Sequence, residues 1–96
     1  MQTKKFIAVN DFCFNHNIEF SFIHSLQETG LIEIATIEET EFIDSEQLRE
    51  IERLIRFYYD LDINLEGIET ITYLLQRMNS MQDEIISLRN RLSLYE

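Results

Sequence analysis

A heptad pattern in the C-terminal part of the chain constrains the fold more than any other feature. Eight apolar residues are separated by alternating steps of three and four, and we call them the seam: Ile71, Leu74, Met78, Met81, Ile85, Leu88, Leu92 and Tyr95. Such steps place apolar side chains along one face of a helix with a period of 3.5 residues, as in a coiled coil. The seam therefore predicts a long helix with one apolar stripe.

The apolar side chains of the seam must be buried against other residues, and few residues of the chain remain to bury its last part. Packing against the chain's own core is one alternative, but residues 82–95 lie at the end of the sequence. A second copy across a two-fold axis is the simplest partner, so we predict a homodimer, parallel or antiparallel. Ser80 and Asp83 leave open a capping box that would begin a separate helix.

Few residues in this chain break a helix. It has 96 residues, no proline and two glycines, Gly30 and Gly67, so one small and mostly helical domain is predicted. Periodicity predicts a strand over residues 5–9, then a short helix capped by Asn10.

The middle of the chain continues this alternation. A second helix begins at Ile18 and ends at Gly30, and a β-rich stretch with a turn follows over residues 31–43. The third helix begins at Asp44 or Ser45, and its apolar face continues to Tyr58. The fourth, capped by Asn64, contains the seam. Hydrophobic residues make up 45% of the chain, which is enough for a core.

The charge distribution bears on the class of partner. Residues 1–43 carry two Lys and seven acids, and residues 44–96 carry six Arg and eleven acids, so each part contributes −5 to the net charge of −10. Nucleic-acid binding depends on clustered cations that displace counterions from phosphates. A chain that is acidic throughout is expected to bind neither DNA nor an anionic membrane, and to attract basic protein surfaces.

Two further features bear on localisation. No apolar run reaches membrane-spanning length. The apolar stretch within the first ten residues is too short for a signal-peptide core. The single Cys13 has no partner for an internal disulfide. We therefore predict a cytoplasmic protein.

The order strand, helix, helix ended by "ETGLI", two-stranded wing, helix and coiled-coil helix resembles the MerR-like winged-helix superfamily. The resemblance implies a mainly α fold with a small β wing. It divides the chain into a winged helix-turn-helix-like domain, residues 1–63, and a C-terminal helical dimerisation segment, residues 64–96.

Three segments together resemble the chaperone-modulator proteins of the CbpM type: "FCFNHNI", "GLIEI…IEETEFI" and "RFYYDLDINLEGIETITYLLQRM". The resemblance covers about residues 6–95. It implies binding to the J domain of a CbpA-type DnaJ-homologue co-chaperone, inhibition of its stimulation of Hsp70, and an effect on the co-chaperone's DNA binding. J domains present a basic surface, which suits the acidic balance of this chain.

The chain departs from DNA-binding MerR relatives in its second helix, where those proteins usually carry Arg. Here the stretch is "EFSFIH", and the wing is acidic. We therefore assign partner binding to these two regions, with the acidic turn before the fourth helix as the alternative contact. The predicted partner-binding residues are Glu19, Phe20, Glu33, Glu38, Glu39, Glu41, Asp60 and Asp62, with Phe20 packing under the wing or serving as an aromatic contact.

An enzyme is the class with least support. Cys13 and His16 lie three residues apart, with His24 nearby, but zinc sites need about four ligands in a tighter pattern. No third group orients a Cys–His pair, and no glycine-rich loop is present to cradle a phosphate. We predict no metal and no cofactor. A MerR-type transcription regulator and a dimeric adaptor, such as an antitoxin-like protein, are the alternatives to the modulator.

Overall fold

The structure is a computed structural model that describes residues 5–95. Its regular elements, in chain order, are β1 (Phe6–Ala8), α1 (Val9–His16), α2 (Phe20–Glu28), β2 (Ala35–Ile37), β3 (Thr40–Asp44), a 3-10 turn (Ser45–Gln47), α3 (Leu48–Ile55), a π-helical turn (Arg56–Asp60) and α4 (Leu65–Ser93). The prediction of a mainly α fold with a small β wing is confirmed.

The connection between α1 and α2 is a tight turn that ends the first helix. Asn17 adopts a left-handed conformation with φ 53°, and the Ile18 N–H donates to the Cys13 carbonyl at 3.0 Å. This bond satisfies one of the carbonyls that a helix end leaves without a partner. The predicted Asn10 cap is wrong: α1 begins at Val9, two residues before the start that an Asn10 cap implies, and the preceding Ala8 provides no side-chain cap.

The predicted end of α2 at Gly30 is confirmed. Gly30 has φ 81°, which a glycine adopts without steric cost, and its N–H donates to the Gln27 carbonyl at 3.0 Å. The Leu31 N–H donates to the Leu26 carbonyl, also at 3.0 Å. These two bonds form a Schellman motif, which turns the chain toward the wing.

The sheet has three antiparallel strands in the order β1-β3-β2, so β3 pairs on both edges. Along one edge of β3, Phe6 of β1 lies opposite Asp44. Along the other edge, Ala35 of β2 lies opposite Phe42. The wing is the hairpin of β2 and β3. Glu38 and Glu39 form its two-residue turn, with φ of 49° and 66°.

The core lies between the sheet, the first three helices and the start of α4. Its buried apolar residues are Val9, Phe12, Cys13, Phe22, Ile23, Leu26, Ile32, Ile43, Ile51, Leu54 and Ile68. The Asp44 side chain accepts from the Glu46 N–H at 3.0 Å and so starts the helical segment that leads into α3, as predicted.

Helix α4 is continuous from Leu65 to Ser93, so the alternative of a separate helix beginning at Ser80 is wrong. Asn64 caps it as predicted, because its side chain accepts from the Gly67 N–H at 2.7 Å. Helix α4 contacts the core through its first turns, where Ile68 is buried and Leu65 packs against the core.

Most of the seam is exposed in the single chain. Ile71 is half-buried, whereas the seam side chains beyond it are between 48% and 89% exposed. The Cα radius of gyration is 17.4 Å, compared with about 12–13 Å for a compact domain of this length. A large part of α4 thus projects from the domain. None of the helices within residues 5–95 is long and apolar enough to span a membrane.

The wing turn generates a stability prediction. Two-residue hairpin turns of this type favour Asn-Gly, because both positions need positive φ, and left-handed backbone is costly for Glu. We expect Glu38→Asn/Glu39→Gly to raise the free energy of unfolding by about 1 kcal/mol, measured by urea denaturation.

The matched control is Glu38→Gln/Glu39→Gln, which removes the same two charges and leaves the steric demand of the turn unchanged. An equal stabilisation in the control would attribute the effect to charge repulsion and contradict the backbone explanation.

Candidate functional site

The helix-turn-helix and wing form a surface without side-chain cations. Between Lys5 and Arg49 the sequence contains no Lys or Arg, and nine Asp and Glu residues. Helix α2 buries Phe22, Ile23 and Leu26 on its inner face. Its other side therefore presents polar and acidic groups to the solvent.

The wing tip contributes two free carboxylates. Glu38 and Glu39 are exposed at the turn, and neither has an ion-pair partner within residues 5–95. Glu41 differs from them, because its Oε1 lies 3.0 Å from His24 Nε2 on α2. This bond ties the wing to the helix, so Glu41 also has a structural role.

Phe20 lies beneath the wing rather than on an open surface. Its side chain is half-buried, packs against the core and meets the His24 ring edge-on at 4.7 Å between centroids. Glu39 and Glu41 line the same small hollow. Of the two alternatives that the sequence left for Phe20, the structure supports packing under the wing, which leaves its ring only partly available as an aromatic contact.

Two other predicted residues lie elsewhere. The backbone of Glu33 is held by Gln47, whose Oε1 accepts from the Glu33 N–H at 2.8 Å and whose Nε2 donates to the Glu33 carbonyl at 2.9 Å. Glu19 precedes α2, and its N–H donates to the Tyr59 hydroxyl at 3.2 Å. Glu19 is thereby placed beside the acidic turn.

The acidic turn, residues 58–64, begins within the π-helical turn and leads to α4. Asp60 and Asp62 are both exposed, and Asp62 has φ 59°. Tyr58 and Tyr59 accompany them at the surface, 37% and 42% exposed. The sequence assigned Tyr58 to the apolar face of the third helix and predicted that one of the two tyrosines packs inward. Both are partly exposed instead, because periodicity gives no signal for the π turn that carries them.

The predicted partner-binding residues thus form two groups and one outlier. The wing group contains Phe20, Glu38, Glu39 and Glu41. The turn group contains Glu19, Asp60 and Asp62, and Glu33 lies apart beside Gln47.

The model of the family described as MerR HTH family regulatory protein matches residues 7–90. The chain belongs to this family. No curated protein and no solved structure matches the chain significantly. The family match agrees with the helix-turn-helix, wing and long helix of the structure.

This MerR-family chain belongs to a regulatory family rather than an enzymatic one. Within residues 5–95 no group of three or more His, Cys, Asp or Glu side chains could hold a metal ion. His16 Nδ1 donates to the Phe12 carbonyl at 3.1 Å. Burial raises the pKa of the Cys13 thiol, which disfavours the thiolate that acts as a nucleophile or metal ligand.

Proposed function

We propose that this MerR-family chain is a cytoplasmic chaperone modulator. In this proposal it binds the J domain of a CbpA-type DnaJ-homologue co-chaperone and inhibits its stimulation of Hsp70. One observation carries the proposal: the shape of a DNA-binding domain is retained, but its surface from residue 6 to residue 48 has no Lys or Arg. Such a surface suits a basic protein better than a phosphate backbone.

The electrostatic argument weighs against the alternative, a MerR-type transcription regulator. Proteins that bind DNA through a helix-turn-helix neutralise several phosphates with Lys and Arg, and this term supplies much of their affinity. Here the wing tip would bring Glu38 and Glu39 toward phosphates. Repulsion would replace attraction at the position where the wing approaches DNA.

A direct test of this alternative is a fluorescence-anisotropy titration with duplex DNA at near-physiological salt. We expect no sequence-dependent binding below micromolar concentration, because counterion release is not available to an acidic surface. Sub-micromolar, sequence-dependent binding would favour the transcription regulator.

The proposed interaction itself is tested by surface plasmon resonance against the J domain of a CbpA-type co-chaperone from the same organism. We expect Glu38→Lys/Glu39→Lys/Glu41→Lys to slow association about tenfold or more at low salt, because clustered charges steer encounter. The difference should shrink as salt rises.

A matched charge-reversal control, Glu69→Lys/Asp83→Lys/Glu84→Lys, reverses three exposed charges on α4 outside the wing and should associate as the wild type does. The Hsp70 ATPase rate, stimulated by the co-chaperone, should fall when the wild-type chain is added. Unchanged ATPase stimulation together with no binding would reject the modulator and leave the dimeric adaptor.

We further propose that the chain forms a homodimer through the seam. The seam side chains from Leu74 onward are about half exposed or more, and contiguous apolar patches of this kind are uncommon on monomers. If a partner helix buried them fully, each large side chain would stabilise the dimer by about 1.5–3 kcal/mol. The proposal leaves parallel and antiparallel pairing open.

The seam is tested by Ile85→Lys/Leu88→Lys, which places two charges where the partner helix would pack. Burying an unpaired charge is costly, so sedimentation should show a monomer. The control Ile86→Lys/Ser87→Lys adds the same charge to the neighbouring positions outside the seam and should remain dimeric. A dimeric seam variant with unchanged stability would contradict the interface.

A further inference from the structure

The acidic turn holds a small pocket that the proposed function does not yet use. It has a volume of about 330 Å³ and is lined by Tyr58, Tyr59, Asp62, Ile63 and Asn64. We propose that this pocket binds an arginine side chain of the protein partner and anchors the complex. The partner's identity as a J domain rests on the proposed function, whereas the chemistry of the pocket rests on the structure.

The pocket exists because the chain leaves α-helical geometry after α3. The Leu61 N–H donates to the Arg56 carbonyl at 3.0 Å, five residues back, which widens the turn. Phe57 is half-buried and packs against the core, whereas the two following tyrosines reach the surface. Single π turns of this kind are frequent at functional sites, where they redirect side chains.

Aromatic contacts hold the two tyrosines in place. Phe22 of α2, which is 5% exposed, lies 4.6 Å from Tyr58 and 5.4 Å from Tyr59 between ring centroids. The two tyrosine rings meet edge to face at 5.0 Å. The Tyr59 hydroxyl also accepts from the Glu19 N–H at 3.2 Å, which fixes this ring against the start of α2. The aromatic surface is therefore preorganised.

The charge around this surface is negative. Asp62 lines the pocket, and Asp60 and Glu66 lie close to it along the chain. None of these three carboxylates forms an ion pair with another side chain of residues 5–95. These carboxylates can therefore attract a cationic side chain of another molecule.

Aromatic faces beside a free carboxylate match the chemistry of a guanidinium group. Its planar cation stacks on a tyrosine face, and its N–H groups donate to a carboxylate in pairs. Lysine can satisfy the charge but lacks the planar surface and the paired donors. A preformed site loses little side-chain freedom on binding, which favours its role as an anchor.

The pocket is also a better anchor than Phe20. Phe20 is covered in part by the wing, whereas Tyr58 and Tyr59 are open to solvent and already ordered. Tyr and Arg are among the residues that dominate binding energy in protein interfaces. The wing carboxylates then govern the rate of association, and the tyrosine pocket governs the rate of dissociation.

The test measures dissociation of the full chain from the J domain by surface plasmon resonance. Tyr58→Leu retains apolar bulk and removes the aromatic face, and we expect about fivefold faster dissociation. Asp62→Asn removes the carboxylate, and Asn tolerates the left-handed backbone at this position, so the fold should survive. We expect about tenfold faster dissociation for this variant.

Matched controls lie on α4, where Tyr73 is 57% exposed and Asp83 is also exposed. Tyr73→Leu and Asp83→Asn repeat the two chemical changes outside the pocket and should dissociate as the wild type does. Melting temperatures verify that all four variants are folded. If both pocket variants dissociate within about twofold of the wild-type rate, the pocket is not the anchor.

A second arm does not depend on the J domain. N-acetyl-arginine amide and N-acetyl-glutamine amide are titrated into the chain, and the ring resonances of Tyr58 and Tyr59 are followed by NMR. We expect saturable shifts with the arginine derivative that are absent in Asp62→Asn. Equal responses to both compounds, or none, would overturn the pocket assignment. Failure of the wild-type chain to bind a J domain would instead overturn the proposed function.

Discussion

Packing against strand β3 is the interaction on which the rest of the structure depends. Both other strands pair with this strand, and its Ile43 is fully buried in the core. Ile51, Leu54 and Ile68 meet the same core from α3 and α4 with no exposed area. Because this core is small, it can hold the start of α4 but cannot cover the remainder of the helix. The exposed seam follows from the size of the core as much as from the heptad pattern.

In this MerR-family domain, the residues that form the fold differ from those that set the charge of its surface. The helix-turn-helix and wing need only apolar residues on their inner faces, and those positions are filled as the fold requires. The outer faces are free to change without loss of the fold, and here they are acidic. Fold and function are therefore set by different residues. The family match by itself assigns the fold and leaves the function open.

Several features could be predicted because their causes are local. Gly30 ends α2, Asp44 starts the segment into α3, and Asn64 caps α4, each through bonds to residues within a few positions. The start of α1 was predicted wrongly at Asn10, because an asparagine in a plausible position does not have to act as a cap. The strength of the heptad pattern correctly outweighed a possible helix start at Ser80.

The sequence by itself determined the helical periodicity, the end of α2, the starts of the segments that lead into α3 and α4, and an acidic balance in both parts of the chain. These properties depend on residue type and on neighbours within about two helical turns. Only the tertiary structure decided which acidic residues lie together, because that grouping depends on contacts between distant residues. The bonds from Glu19 to Tyr59 and from His24 to Glu41 join positions 40 and 17 residues apart. The exposure of Tyr58 and Tyr59 likewise depends on a π turn packed against Phe22 of α2, which no local pattern encodes.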